Sequence, residues 1–112
     1  MRITSLSKSD RPRERLLEKG VEALSNAELL SIVIQKGYYT DNVLDLSNKL
    51  LSRYDILRLP DLSLSELRSI RGIGNVKAMQ IKALFEFNRR YFQAKRKENI
   101  QEIAQKHNLN VF

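Results

Sequence analysis

The chain has 112 residues, 42% of them hydrophobic, which is length for one folded core and not for two. Its formal net charge of +7 is unevenly spread: 10 Lys/Arg stand against 8 Asp/Glu in residues 1–60, and 10 against 5 in residues 61–112. That balance favours a polyanionic partner, and the absence of cysteine excludes disulfides and thiolate metal sites.

Residues 1–9 read as an irregular arm, without the apolar run that a secretory signal needs. Asp10 is placed to cap a first helix. Pro12 suits that helix's first turn, where a missing N–H has no partner to lose. Leu16, Leu17 and Val21 mark its apolar side, and it stops near Gly20. Ser25-Asn26-Ala27-Glu28 is a capping box, so a second helix starts at Ser25 and runs through Leu29, Leu30, Ile32, Val33 and Ile34 to Lys36, where Gly37 ends it. This helix is apolar nearly all round, the mark of a central buried element. It is also the most apolar patch of the chain, and it is far shorter than the roughly 20 residues of a membrane span. The expected location is therefore the cytoplasm.

Tyr38-Tyr39-Thr40-Asp41 reads as a loop, with Thr40 or Asp41 capping a third helix. Val43, Leu44, Leu46, Leu50 and Leu51 recur at helical spacing until about Arg53. A connection containing Pro60 follows, and Ser63-Leu64-Ser65-Glu66 is a second capping box opening a short helix. The pattern predicts an all-α fold, a compact bundle of five or six helices over residues 10–97. Leu29, Leu30, Val33, Leu46, Leu50, Ile73, Ile81 and Leu84 form its expected core. Residues 98–112 are expected to be a tail or a short helix.

The stretch Leu67-Arg68-Ser69-Ile70-Arg71-Gly72-Ile73-Gly74-Asn75-Val76-Lys77-Ala78 joins that short helix to a long one. Gly72 reads as the stop of the first, because glycine takes positive φ without steric cost. Gly74 reads as the N-cap of the second, Asn75, Val76 and Lys77 as its first turn, and Ile73 as a plug between the two. Free N–H groups at a helix start carry the positive end of a dipole and hold phosphate without a side chain. Arg68, Arg71 and Lys77 decorate this turn. A lysine in a first turn opposes the dipole by about 0.3–1 kcal/mol, and a bound anion reverses that sign. The competing reading is a purely structural hairpin. Beyond it, Ala78, Ile81, Leu84, Phe85 and Tyr91 mark one face of the long helix. The basic run Arg89 to Lys97 is either more phosphate-binding surface or a solvated helix end.

The turn resembles the helix-hairpin-helix of proteins that hold DNA by its backbone. Read with Arg11-Pro12-Arg13-Glu14-Arg15-Leu16, Gly20, Glu22-Ala23-Leu24-Ser25, Ala27-Glu28-Leu29-Leu30 and Val43-Leu44-Asp45-Leu46, the order of motifs resembles the N-terminal region of the RadC-like family. The resemblance runs over residues 10–92 and implies a hairpin at about 64–92, DNA as partner and an association with DNA repair. Family members carry a second, JAB/MPN-type metal-binding domain with paired histidines. Here His107 is the single histidine, so no metal site and no peptidase-like activity are expected. Tyr38 and Tyr39 depart from the family pattern.

The expected function is a non-catalytic, largely sequence-independent DNA-binding module without a cofactor. Arg68, Arg71, Gly72, Ile73, Gly74, Asn75, Val76 and Lys77 would contact phosphate, and none would read a base. The alternative is a protein docking module using Tyr38, Tyr39 or the tail. An enzyme has least support. Hairpin-bearing lyases pair a lysine with a downstream aspartate, and only Glu86, Glu98 and Glu102 follow the hairpin here.

Overall fold

The computed structural model describes residues 7–36 and 40–107. The expected role of Gly37, the Tyr38-Tyr39 loop, most of the N-terminal arm and residues 108–112 lie outside them. Among the described residues the fold is all-helical: α1 (Pro12–Lys19), α2 (Asn26–Ile34), α3 (Asp41–Arg53), α4 (Leu64–Arg68) and α5 (Asn75–Lys106), with single turns of tighter helix at Lys8–Asp10, Val21–Ala23 and Leu59–Asp61. None of these helices is long and apolar enough to cross a membrane.

Local signals place most of the boundaries. Pro12 opens α1 with Arg11 as its N-cap residue, and Gly20 at φ +89° closes it. Asp10 does not cap this helix. Its carboxylate accepts the Ser7 hydroxyl at 2.8 Å, within the turn that precedes. Both capping boxes form as read. The Glu28 N–H donates to Ser25 Oγ and the Ser25 N–H to Glu28 Oε1, and Ser63 and Glu66 repeat the arrangement on α4. Thr40 is the N-cap residue of α3 without a side-chain bond.

Arg15 fastens α1 to the start of α2. Its Nε donates to Glu28 Oε2 at 2.7 Å and its Nη2 to the Ala23 carbonyl at 3.1 Å. One carboxylate thus caps a helix and anchors its neighbour. Both side chains are largely covered, so this pair is screened less than an open surface pair.

The core gathers Leu30 and Ile34 of α2, Val43 and Leu50 of α3, Leu59, Leu62 and Leu67 around α4, Ile70 and Ile73 of the turn, and Ala78 and Ile81 of α5. Of the expected core, Leu30, Leu50, Ile73 and Ile81 are buried, while Val33 and Leu46 pack against it half-covered. Leu29 and Leu84 are half-buried and line an apolar recess instead. Lys82 ties α5 to the Pro60 turn, its Nζ donating to the Pro60 carbonyl at 3.0 Å.

Helix α5 overruns this bundle and continues past residue 97 to Lys106. The radius of gyration is 18.0 Å and the longest dimension 59 Å, against about 13 Å for a compact domain of about 100 residues. Tyr91, expected on the buried face, is 56% exposed, and every residue from Phe87 to Ile103 is exposed. Ion pairs within the helix support the overrun: Glu86 with Arg89 and Arg90, and Lys95 with Glu98. The two arginines hold the Glu86 carboxyl down to about 2.

Candidate functional site

Helices α4 and α5 meet at a tight turn. The Ile73 N–H donates to the Ile70 carbonyl at 3.0 Å, and Gly72 takes φ +100°. That is the position at which a type II turn requires positive φ. Gly72 is therefore not the stop of the first helix. Helix α4 ends at Arg68, the Ser69 N–H bonds back to the Ser65 carbonyl, and Gly72 serves the turn that follows. Ile73 is 4% exposed and plugs the space between the helices, as its position suggested.

Gly72 has a second reason to lack a side chain. A Cβ on it would sit 3.1 Å from Leu46 Cδ1 of α3, so the turn rests directly on that leucine. This contact decides what faces the hairpin. Asn42, Asp45, Leu46 and Lys49 fall at helical spacing along one stripe of α3, and seating the turn on Leu46 brings the stripe against it. The result is a recess of about 570 Å³ lined by Arg71, Gly72 and Lys77 on one side and by Lys36, Asn42 and Lys49 on the other. Thr40, Asp45, Val43 and Leu46 complete the lining.

Four cations therefore surround one recess, with Asp45 as its single carboxylate. None of the five forms an ion pair among the described residues. At one edge of the recess lies the N-terminus of α5. Gly74 is its N-cap residue, with extended backbone at φ −94°, no side-chain capping bond and no acidic residue in the first turn. A Cβ on Gly74 would meet nothing within 4 Å, so the space beside this N-cap residue is open.

The eight residues singled out in the sequence separate accordingly. Arg71, Gly72 and Lys77 line the recess; Gly74, Asn75 and Val76 lie exposed at the start of α5; Ile73 is in the core. Arg68 does something different: its Nη1 donates to Asn75 Oδ1 at 2.9 Å and staples the hairpin closed. Lys36, Thr40, Asn42 and Lys49 were not anticipated. The polar stripe on α3 is visible in the sequence, but which element it faces is not.

On the remaining surface, Leu29, Ile32, Val33, Leu84 and Phe85 line an apolar recess of about 450 Å³. Leu17, Leu57 and Phe87 are exposed at 84%, 80% and 74%, a considerable apolar surface for a small domain.

The family model described as UPF0758 N-terminal matches residues 3–79. A UPF0758 protein of Pelodictyon phaeoclathratiforme is 47% identical over 90 residues, covering 80% of this chain and 40% of its own length. One from Chlorobaculum tepidum is 49% identical over 90 residues, with the same coverage. Another, from Clostridium acetobutylicum, is 40% identical over 112 residues, covering 99% of this chain and 49% of its own. The chain thus spans less than half the length of the curated relatives it matches. No solved structure matches. With the family model covering most of the chain, and with Arg15, Glu28 and the hairpin glycines in the places the motifs put them, the protein belongs to the UPF0758 family, the RadC-like family its sequence resembles.

Proposed function

We propose that this domain is a non-catalytic DNA-binding module that grips phosphates through a helix-hairpin-helix formed by α4 and α5. The observation that carries the reading is the start of α5: an uncapped helix N-terminus, open above Gly74, with Lys77 in its first turn and Arg71 beside it. Left empty, this arrangement sets a cation against the positive end of the helix dipole. A phosphate oxygen accepting from the free amides cancels both unfavourable charges at once. In this reading the contacts are to phosphate, so recognition is of the backbone and largely independent of sequence. The link to DNA repair rests on the family resemblance, and the cytoplasm is the compartment this reading requires.

Fluorescence anisotropy with duplex and single-stranded DNA over a range of salt concentrations tests the proposal. Affinity should fall steeply as salt rises, because each phosphate contact releases condensed counterions. Lys77→Gln should flatten the log–log salt slope by about 0.9, one phosphate's worth, for all sequences alike. Its stability should stay level or rise by about 0.3 kcal/mol, since a cation leaves a first turn. Unchanged affinity and slope in folded Lys77→Gln and Arg71→Gln would remove the hairpin from the interface. The apolar recess beside Phe85 supports the alternative, a protein docking module, whose binding would change little with salt.

A further inference from the structure

The hairpin accounts for Arg71 and Lys77 and leaves Lys36, Lys49, Thr40 and Asn42 without a role, although they line the same recess. From this surplus we infer that the recess receives the terminal phosphate of a DNA strand, a phosphomonoester at a strand end, in addition to the internal phosphates held along the hairpin. The inference rests on the DNA-binding reading above and narrows the substrate to strands that end in phosphate.

Charge is the first argument. An internal phosphodiester carries one negative charge, which the amides of α5 with Lys77 and Arg71 already balance. Lys36 and Lys49 then remain on the same recess, with Asp45 as its single carboxylate, and a single diester does not use them. A terminal phosphomonoester carries a charge of about −1.5 to −2 at neutral pH and three strong acceptor oxygens. One such group can engage both lysines.

Shape is the second. The recess holds about 570 Å³, within the range of sites that enclose a small molecule of nucleotide size. Val43, 4% exposed, and Leu46, seated against Gly72, form an apolar floor, while Thr40 and Asn42 supply neutral hydrogen-bonding groups at its wall. The recess is half-open, wide enough for a terminal phosphate with its sugar to enter from one side.

The third argument is the origin of the cations. Lys36 follows α2, Lys49 lies on α3, Arg71 is in the turn and Lys77 is on α5. Four positions from separate elements converge, and none is used by an ion pair among the described residues. Like charges gathered this way repel one another, a cost that a bound dianion removes.

The test uses the full 112-residue chain and one oligonucleotide sequence in four forms: 5′-phosphorylated, 3′-phosphorylated, hydroxyl at both ends, and covalently circular. Anisotropy should show one phosphorylated end binding about tenfold or more tightly than the hydroxyl-ended strand, the worth of one charge-assisted contact. The circular strand should match the hydroxyl-ended one. Lys49→Gln and Lys36→Gln, both exposed and outside the core, should abolish the preference while leaving hydroxyl-ended binding within about threefold. Thymidine monophosphate should compete for the phosphorylated end and not for the circle. Equal affinity for all four forms overturns this inference and leaves the hairpin reading intact. Failure of every form to bind overturns both. A preference that survives in Lys49→Gln and Lys36→Gln overturns the recess as its location.

Discussion

The two helices of the hairpin begin in opposite ways. Helix α4 closes its own N-terminus: Ser63 Oγ takes the Glu66 N–H, and the Glu66 carboxylate takes the Ser63 N–H and faces the dipole. Helix α5, a few residues on, has a glycine where a capping side chain would stand, no acid in its first turn and Lys77 instead. Since the same short stretch contains a complete capping box, the open end of α5 is not a matter of chain composition. One helix is finished by its own residues. The other has no such cap, and in the proposed function an anion finishes it.

The turn between them gives the comparison its largest expected effect. Gly72→Ala forces a side chain into positive φ and against Leu46, and should destabilise the domain by about 2 kcal/mol in thermal or urea unfolding. An unchanged midpoint would show that the turn does not rest on α3 in solution.

Gly74→Asp should separate stability from binding. The backbone there is extended and open, so any residue is accommodated, and a new carboxylate caps α5 as Glu66 helps to cap α4. Stability should rise by about 0.5 kcal/mol. DNA affinity should fall about tenfold or more, because the carboxylate occupies the phosphate's place. Affinity equal to that of the parent, measured on folded protein, would mean that the amides of α5 are not the site.

Ser63→Ala is the converse. Removing the cap of α4 should cost about 1 kcal/mol of stability, with DNA affinity of the folded fraction unchanged. A loss of affinity as large as that of Gly74→Asp would dissolve the contrast between the two ends.

The smallest effect is the response to acid. Hydrogen bonds from Ser63, backbone first and hydroxyl second, hold the Glu66 carboxyl below its usual range. The folded state therefore binds that proton less readily than the unfolded chain. The stabilisation is present above the ordinary carboxylate range and is lost as the pH falls through the lowered folded-state value. Melting midpoints compared between pH 7 and pH 3 should fall slightly more in the parent than in Glu66→Gln, which has no charge to lose. Equal slopes would show that the charged form of Glu66 adds nothing to the cap.

Two features of the fold bear on how far local reading extends. Arg15 and Glu28 belong to motifs recognisable as strings, yet their bond across α1 and α2 is a tertiary contact that a string does not display. Helix α5 shows the reverse. Its apolar spacing continues to Tyr91 and suggests a buried face, but the bundle is too short to cover it, and Phe87, Tyr91 and Phe92 stand exposed.

By itself the sequence determined the helical class, both capping boxes, the two glycines of the turn and the place of Ile73 in the core. Each of these depends on groups within about one helical turn of one another, and covalent spacing already brings such groups together. The end of α4 is not legible in the same way, because Gly72 serves a turn rather than a helix end, and a glycine signals positive φ without saying which structure needs it. Only the tertiary structure decided the rest. It stapled Arg68 to Asn75, seated Gly72 on Leu46, and thereby carried Lys36, Asn42 and Lys49 to the side of Arg71 and Lys77. Residues distant along the chain meet only where helices pack, and the packing of α3 on the turn gathered a scattered positive charge around one recess.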